Sequence, residues 1–233
     1  DRSDDASKTS RRGFLGAGAA ASALLATGVG GVGQMVHAGT SRPPRANNAV
    51  NLAIVGCGGR GTGAVNDSLT TNENVQLVAV ADLTQKKCDN MVRLMSERHA
   101  DKVKVKATHA GLDAYQKVLQ DPDVDLVLLA TPPGFRPTHI LDAVKAGKHV
   151  FAEKPTCVCP AGYRICVEAH ELAAQQGTAS VTGTQYRRQV NYVGAIEQIR
   201  AGAIGDIVSA ITRYCSTGIW NRQRDEGMGD TEN

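Results

Sequence analysis

Val50-Asn51-Leu52-Ala53-Ile54-Val55-Gly56-Cys57-Gly58-Gly59-Arg60-Gly61 is the stretch on which the fold turns. Its first half is a short, nearly continuous apolar run, as expected of a strand covered on both faces. Its second half sets three glycines, Gly56, Gly58 and Gly61, in a turn that opens a helix. At this spacing each glycine has its own task if a dinucleotide binds. Gly56 permits the tight strand-to-helix turn, Gly58 lets the backbone touch a pyrophosphate, and Gly61 lets helix and strand pack closely. Gly59 and Arg60 complete the turn, and the helix start offers free N–H groups and a positive dipole end to the phosphates.

Outward from this turn the chain alternates. A helical face at Ala64, Val65, Ser68 and Leu69 leads to a second buried strand over 75–81, ending at Asp82. A helix over 83–99 carries Met91, Leu94 and Met95 on one side, and a third strand is expected over 103–107. A short helix over 112–119 is broken by Asp121-Pro122-Asp123 before a fourth strand over 124–130. Thr131-Pro132-Pro133-Gly134 ends that strand. Pro137 then suits the first turn of a helix running to Ala146, and Gly147 stops it before a fifth strand, His149–Ala152. Strands and helices in this order predict an α/β, doubly wound, mostly parallel Rossmann sheet with right-handed crossovers.

Ligands of such sheets sit at the carboxyl ends of the strands. Four chemically suggestive features fall there: the glycine turn, Asp82, Thr131 with Pro132, and Glu153-Lys154-Pro155. Asp82 lies where an acidic side chain can accept both ribose hydroxyls of an adenosine half, or cap the next helix as Thr84 also could. A carboxylate there repels a 2′-phosphate, which favours NAD. Lys86 and Lys87 nearby leave NADP open.

Bulk properties point to no particular partner. The chain has 233 residues and 42% apolar content, enough for one good core and the start of a second. Beyond residue 38 it holds 22 basic against 20 acidic side chains. That balance, with 4% aromatics, implies no nucleic-acid partner. Six cysteines form neither a paired CxxC array nor a metal-binding spacing, and no metal site is expected. Cys157-x-Cys159 leaves ligation or cross-linking open, beside the reading as scattered thiols.

Residues 1–38 read as an address. Ser10-Arg11-Arg12-Gly13-Phe14-Leu15 precedes a weakly apolar stretch rich in Gly and Ala, and Val36-His37-Ala38 offers small residues for cleavage after Ala38. This is the pattern of a twin-arginine export signal, with the export machinery as partner and a periplasmic or otherwise exported destination. A membrane-spanning helix is the rival, weakened by the glycines within the stretch. Residues 39–49, with Pro43 and Pro44, form a linker; residues 50–181 are the nucleotide domain and 182–233 begin another.

Ala130-Thr131-Pro132-Pro133, His139, and Ala146-Gly147-Lys148-His149-Val150-Phe151-Ala152-Glu153-Lys154-Pro155 resemble the Gfo/Idh/MocA family of NAD(P)-dependent oxidoreductases. The glycine turn and Asp82 fit it as well. The resemblance extends from Val50 to about Tyr214. It implies a Rossmann domain followed by an α/β domain with a large open sheet, and hydride transfer between nicotinamide and a hydroxyl of a sugar, cyclitol or related polyol. It also implies that Lys154 lies beside the reacting hydroxyl as the catalytic residue, and that Glu153 with Lys154 lines the nicotinamide pocket. His139 matches a position near the cofactor, though a solvent-facing helix residue is an equal reading. Gln185 falls at the entry to the second domain as a candidate contact to cofactor or substrate. Arg187 and Arg188 face substrate hydroxyls or merely solvent.

The second domain is expected to open with a helix over 161–177, a strand over 178–181, a helix marked by Tyr192, Ile196 and Ile199, and a strand over 207–214. The open-sheet domain is thus incomplete. The first residue is Asp, and family chains continue past residue 233 to an acid/base histidine that no position here supplies, so a truncated record is expected. Two alternatives stand beside the oxidoreductase. One is an NAD-dependent glycoside hydrolase that oxidises its sugar transiently; the other is a non-catalytic nucleotide-binding sensor. Homo-oligomer formation is left open. Because Arg11-Arg12 carries the export reading, replacing both by lysine should leave uncleaved precursor in the cytoplasm. Fractionation checks this, and normal secretion of the variant contradicts it.

Overall fold

The computed structural model describes residues 49–215. The twin-arginine segment, most of the linker and the polar C-terminal tail lie outside the described residues. Six parallel strands form one sheet in the order β3-β2-β1-β4-β5-β6: β1 Val50–Val55, β2 Val75–Asp82, β3 Val103–Ala110, β4 Leu126–Leu129, β5 His149–Ala152 and β6 Ser180–Thr182. The helices between them are α1 Gly59–Thr71, α2 Gln85–Arg98, α3 Ala114–Gln120, α4 Arg136–Lys145 and α5 Pro160–Gln176. A 3-10 turn, Gln185–Arg188, and α6, Val190–Arg200, follow.

Both faces of the sheet are buried, and β1 shows why its sequence needed no polar alternation. Leu52 and Ile54 point to one side, where they pack with Val65 and Leu69 of α1 and Met91 and Met95 of α2. Ala53 and Val55 point to the other, where Val118 of α3, Ile140 and Val144 of α4 and Ala169 and Ala173 of α5 lie. Leu52, Ile54 and Leu69 are fully buried, each contributing about 1.5–3 kcal/mol by leaving water. A strand between two helical layers has no wet side, so small and large apolar residues alternate instead of apolar and polar ones.

The order reverses direction between β1 and β4, and this switch point opens a crevice at the carboxyl ends of the strands. Two glycines hold its walls together. Gly56 has φ +102, and a Cβ there would meet the Ala130 carbonyl carbon at 2.7 Å and Thr131 N at 2.9 Å. At Gly61 a Cβ would sit 1.9 Å from Gly56 O, which is backbone and cannot step aside.

Several element ends differ from the sequence expectation. α2 starts at Gln85 rather than Leu83, because Asp82 O and Leu83 O both accept from Gly111 N and Thr84 keeps extended φ/ψ as the N-cap. β3 runs on to Ala110, paired with β2 as far as Asp82. The strand expected over 207–214 does not form: Ile207, Val208, Ile211 and Tyr214 are at least 65% exposed and pair with no strand among the described residues. Apolar alternation alone cannot make a strand that lacks a neighbour to hydrogen-bond with. α6 does form where expected but buries no residue. Among the described residues no helix is long and apolar enough to cross a membrane.

The Gly61 contact gives a direct check. Gly61→Ala should destabilise the protein by about 3 kcal/mol, the upper range for forcing a group into filled space. Urea unfolding measures it, and wild-type stability in the variant would mean that α1 is not seated on Gly56.

Candidate functional site

The glycine turn leaves its helix end open. Gly58 is the N-cap of α1, no side chain caps the helix, and no acidic residue stands in its first turn. The first N–H with an intrahelical partner is that of Thr62, which donates to Gly58 O at 2.9 Å. The N–H groups before it, with the helix dipole behind them, suit an anion. A Cβ at Gly58 or Gly59 would meet nothing within 4 Å, so the surface over the turn is clear.

Asp82, at the end of β2, is tied to this turn. Its Oδ2 accepts from Cys57 N at 2.6 Å, and its Oδ1 lies 3.4 Å from Thr84 N and 3.7 Å from Lys87 Nζ. The carboxylate therefore holds the phosphate turn and the start of α2 at once, with Oδ1 the less committed oxygen. Below it sit two buried thiols: Cys57 Sγ donates to Ala81 O and Cys88 Sγ to His109 O, each at 3.4 Å. Hydrogen bonding with Cys88 and burial push the Cys57 thiol up from its ordinary value, so it packs as a neutral group.

Across the crevice, Glu153 and Lys154 follow β5. The Glu153 side chain is 5% exposed and accepts from Arg60 through Oε1, at 2.5 Å from Nη2 and 2.7 Å from Nε. Its Oε2 lies 3.3 Å from Lys154 N. Gly183, after β6, crowds the same carboxylate: a Cβ there would come within 3.0 Å of it. Arg60 thus links the glycine turn to the Glu-Lys-Pro turn by an ion pair buried at its acidic end and half-exposed at its basic end. Lys154 itself is exposed, and its ammonium makes no ion pair among the described residues.

Thr131 and Pro132 lie between these two turns, after β4. Thr131 Oγ1 and His139 Nδ1 are 3.2 Å apart. Arg136, at the first residue of α4, is 4% exposed. It donates through Nη1 to Glu153 O at 2.6 Å and to Pro155 O, and through Nη2 to Thr131 O. Burial lowers the guanidinium from its usual value and Glu153 opposes that. Desolvating such an ion costs several kcal/mol, offset by carbonyl bonds of about 1.5–3 kcal/mol each for a charged donor.

Residues 50–183 match the model of the oxidoreductase family with the NAD-binding Rossmann fold, Gfo/Idh/MocA. The chain belongs to this family. A glycosyl hydrolase family 109 protein of Solibacter usitatus is 28% identical over 214 residues, 89% of this chain and 46% of that protein. Oxidoreductase P35 of Formosa agariphila is 28% identical over 166 residues, 69% of this chain and 46% of its own. The crystal structure of scyllo-inositol dehydrogenase from Lactobacillus casei with bound NAD(H) and scyllo-inositol shares the fold: TM-score 0.57, 24% identity, 68% of this chain and 43% of that one. The chain spans about half the length of the curated relatives it matches.

Within this Gfo/Idh/MocA frame, the glycine turn, Asp82, Thr131, Pro132, Glu153 and Lys154 gather at the carboxyl ends of β1, β2, β4 and β5. His139 departs from the solvent-facing reading. It is 7% exposed, its ring 4.0 Å from that of Tyr115 and 6.2 Å from that of Phe135, so it faces neither solvent nor an open crevice. Its contact with the site runs through Thr131. Gln185 is exposed in the 3-10 turn two residues past Gly183. Arg187 and Arg188 line a shallow cavity of about 330 Å³ with Ser180, Val181, Thr182 and Thr184, at the β6 edge. Arg136 and Gly183 carry no sequence signal of their own. The first follows an unremarkable Phe135 and the second an edge strand, and only the contacts to Glu153 single them out.

His139 titrates in a testable window. Burial lowers it from 6.5 to about 4, with Asp142 opposing and Arg136 assisting. The folded form therefore favours the neutral ring, and its stabilisation is present above pH 6.5 and lost as pH falls towards 4, by up to about 3 kcal/mol. His139→Gln should lose that much less stability than wild type between pH 7 and 4 in urea melts at stepped pH. Parallel pH slopes would sink the assignment.

Proposed function

We propose that this chain is the nucleotide-binding part of an exported NAD-dependent oxidoreductase acting on a hydroxyl of a sugar, cyclitol or related polyol. The observation that carries the reading is one crevice holding both an uncapped, unobstructed glycine turn and an exposed lysine beside a buried carboxylate. Those residues fit NAD. The backbone N–H groups at Gly59, Arg60 and Gly61 would hold the pyrophosphate, Asp82 the adenosine ribose, and Thr131, Pro132, Glu153 and Lys154 the nicotinamide end. The Asp82 carboxylate favours NAD over a 2′-phosphate, although Lys87 at 3.7 Å softens the preference.

When bound, NAD supplies the hydride chemistry. The chain's own part is position and field. An ammonium at Lys154 would donate to the substrate oxygen, orient it, and stabilise the negative charge that grows as the hydroxyl proton passes to a base other than Lys154. Glu153 is paired with Arg60, which leaves the Lys154 head group to the substrate. Thr131, braced by His139, walls the site from the β4 side.

The glycosyl hydrolase relative gives a second reading specific support. There the same first oxidation at the sugar would be transient, with hydride returned after the glycosidic bond breaks and no net change in nucleotide. Both readings are consistent with export through the twin-arginine route, which carries folded proteins and so lets nucleotide travel inside. Retention through dilution needs a dissociation constant below about micromolar, or roughly 8 kcal/mol.

The test takes the full-length protein, denatures it and measures released nucleotide beside turnover on a panel of sugars, cyclitols and aryl glycosides. Wild type should carry nicotinamide nucleotide. Lys154→Ala should keep it while losing about 10²-fold or more in turnover, the usual cost of removing one donor to a developing negative charge. Sugar release without net NADH selects the hydrolase; net NADH selects the oxidoreductase. Empty wild type, or normal turnover in Lys154→Ala, overturns the reading.

A further inference from the structure

Arg136 is bound more heavily than helix packing explains. Its guanidinium is held by three main-chain carbonyls, those of Thr131, Glu153 and Pro155. Two of them, Glu153 O and Pro155 O, bracket Lys154. The third belongs to the turn after β4. A cation at the first residue of a helix meets the positive end of the dipole, so α4 gains nothing from it. Nor does the sheet need it as a strap. β4 and β5 are already paired from Leu126↔His149 to Leu129↔Ala152, and Glu153 N donates to Leu129 O at 2.9 Å. What the guanidinium adds lies past the ladder, where the two turns leave their strands and no strand hydrogen bonds reach.

We propose that Arg136 is the positioning residue of the site: its planar fork pins the carbonyls on both sides of Lys154 to the Thr131 turn and so fixes where the lysine side chain sets out. The inference rests on the reading of Lys154 as the group beside the reacting hydroxyl. The fork is essential because one nitrogen serves the β5 turn and the other the β4 turn. A lysine, a single point charge, cannot span both in fixed geometry. Glu153 acts on the same turn from its other end, its carboxylate held by Arg60. The Glu153-Lys154-Pro155 turn is therefore held at its acidic side chain by Arg60 of α1 and at its main-chain carbonyls by the Arg136 side chain of α4.

The test uses the full-length protein and two variants, Arg136→Lys and Arg136→Met. Competitive acetylation with acetic anhydride, read by mass spectrometry, follows Lys154 with and without saturating NAD, with exposed Lys106 as reference. In wild type, NAD should protect Lys154. Both variants should still bind NAD, since the turn over residues 56–61 is untouched, yet lose the protection of Lys154. Their kcat per folded, nucleotide-loaded molecule should fall about 10²-fold, the scale of an ångström of misplacement. A purely structural role predicts a lower Tm with wild-type protection and wild-type kcat, and that result overturns the proposal. So does failure of both variants to fold, which assigns the residue to the fold. If wild-type Lys154 is not protected, the assignment of Lys154 fails first and Arg136 with it. Protection without turnover on any substrate overturns only the activity.

Discussion

Everything at the nucleotide end depends on two backbones touching. Gly61 lies so close to Gly56 O, and Gly56 so close to the Ala130–Thr131 peptide, that neither position has room for a single carbon. This contact seats α1 directly on the end of β1 and draws the β4 turn against the same point. The helix end then faces the switch-point crevice with its N–H groups free. A methyl group's displacement here would open a gap between the phosphate turn and the β4 turn, and with it the distance between the two halves of the site. The restraint is steric, so it holds in any solvent condition in which the sheet survives.

On that seat the site is laid out by electrostatics in a chain. Lys87 faces Asp82, Asp82 holds the Cys57 amide, Arg60 crosses to Glu153, and Arg136 lies on the far side of Glu153. Charges alternate along the crevice floor, and the buried Asp82, Glu153 and Arg136 each make ion-pair or hydrogen-bond contacts, although Arg136 Nε has no partner. Lys154 stands outside this series. The arrangement concentrates the charge pairing in the floor and leaves Lys154 exposed above it.

How much of this could be read from the sequence follows from the range of each interaction. The strands and the glycine turn come from local pattern: short apolar or alternating runs punctuated by Gly, Pro and Asp. Glu153-Lys154-Pro155 was legible because a triplet at the end of a strand is also local. The Arg60–Glu153 pair joins residues 93 apart, and Gly183 meets the side chain of Glu153 across the whole of α5 and β6. No window of sequence contains both partners. For His139 only the solvent-facing reading failed, for a different reason. A histidine in a helix's first turns can read as surface, but Tyr115 of α3 covers it, and that depends on how two helices pack on one face. The strand expected over 207–214 failed because alternation states a preference for two-sided burial without saying what does the burying. Its residues have that preference and, among the described residues, no neighbour.

Asp82 has a consequence for anyone who would alter cofactor choice. The usual approach to such a fold removes the acid at the end of the second strand and adds positive charge beside it. Here the same carboxylate is the acceptor for the Cys57 amide and so part of the phosphate turn's scaffolding. Under the ribose-binding role proposed for Asp82, selectivity and affinity are mechanically joined at one oxygen pair. An exchange at position 82 has to keep an acceptor for that amide, as asparagine or serine can, or the turn will lose its shape before the new cofactor gains anything.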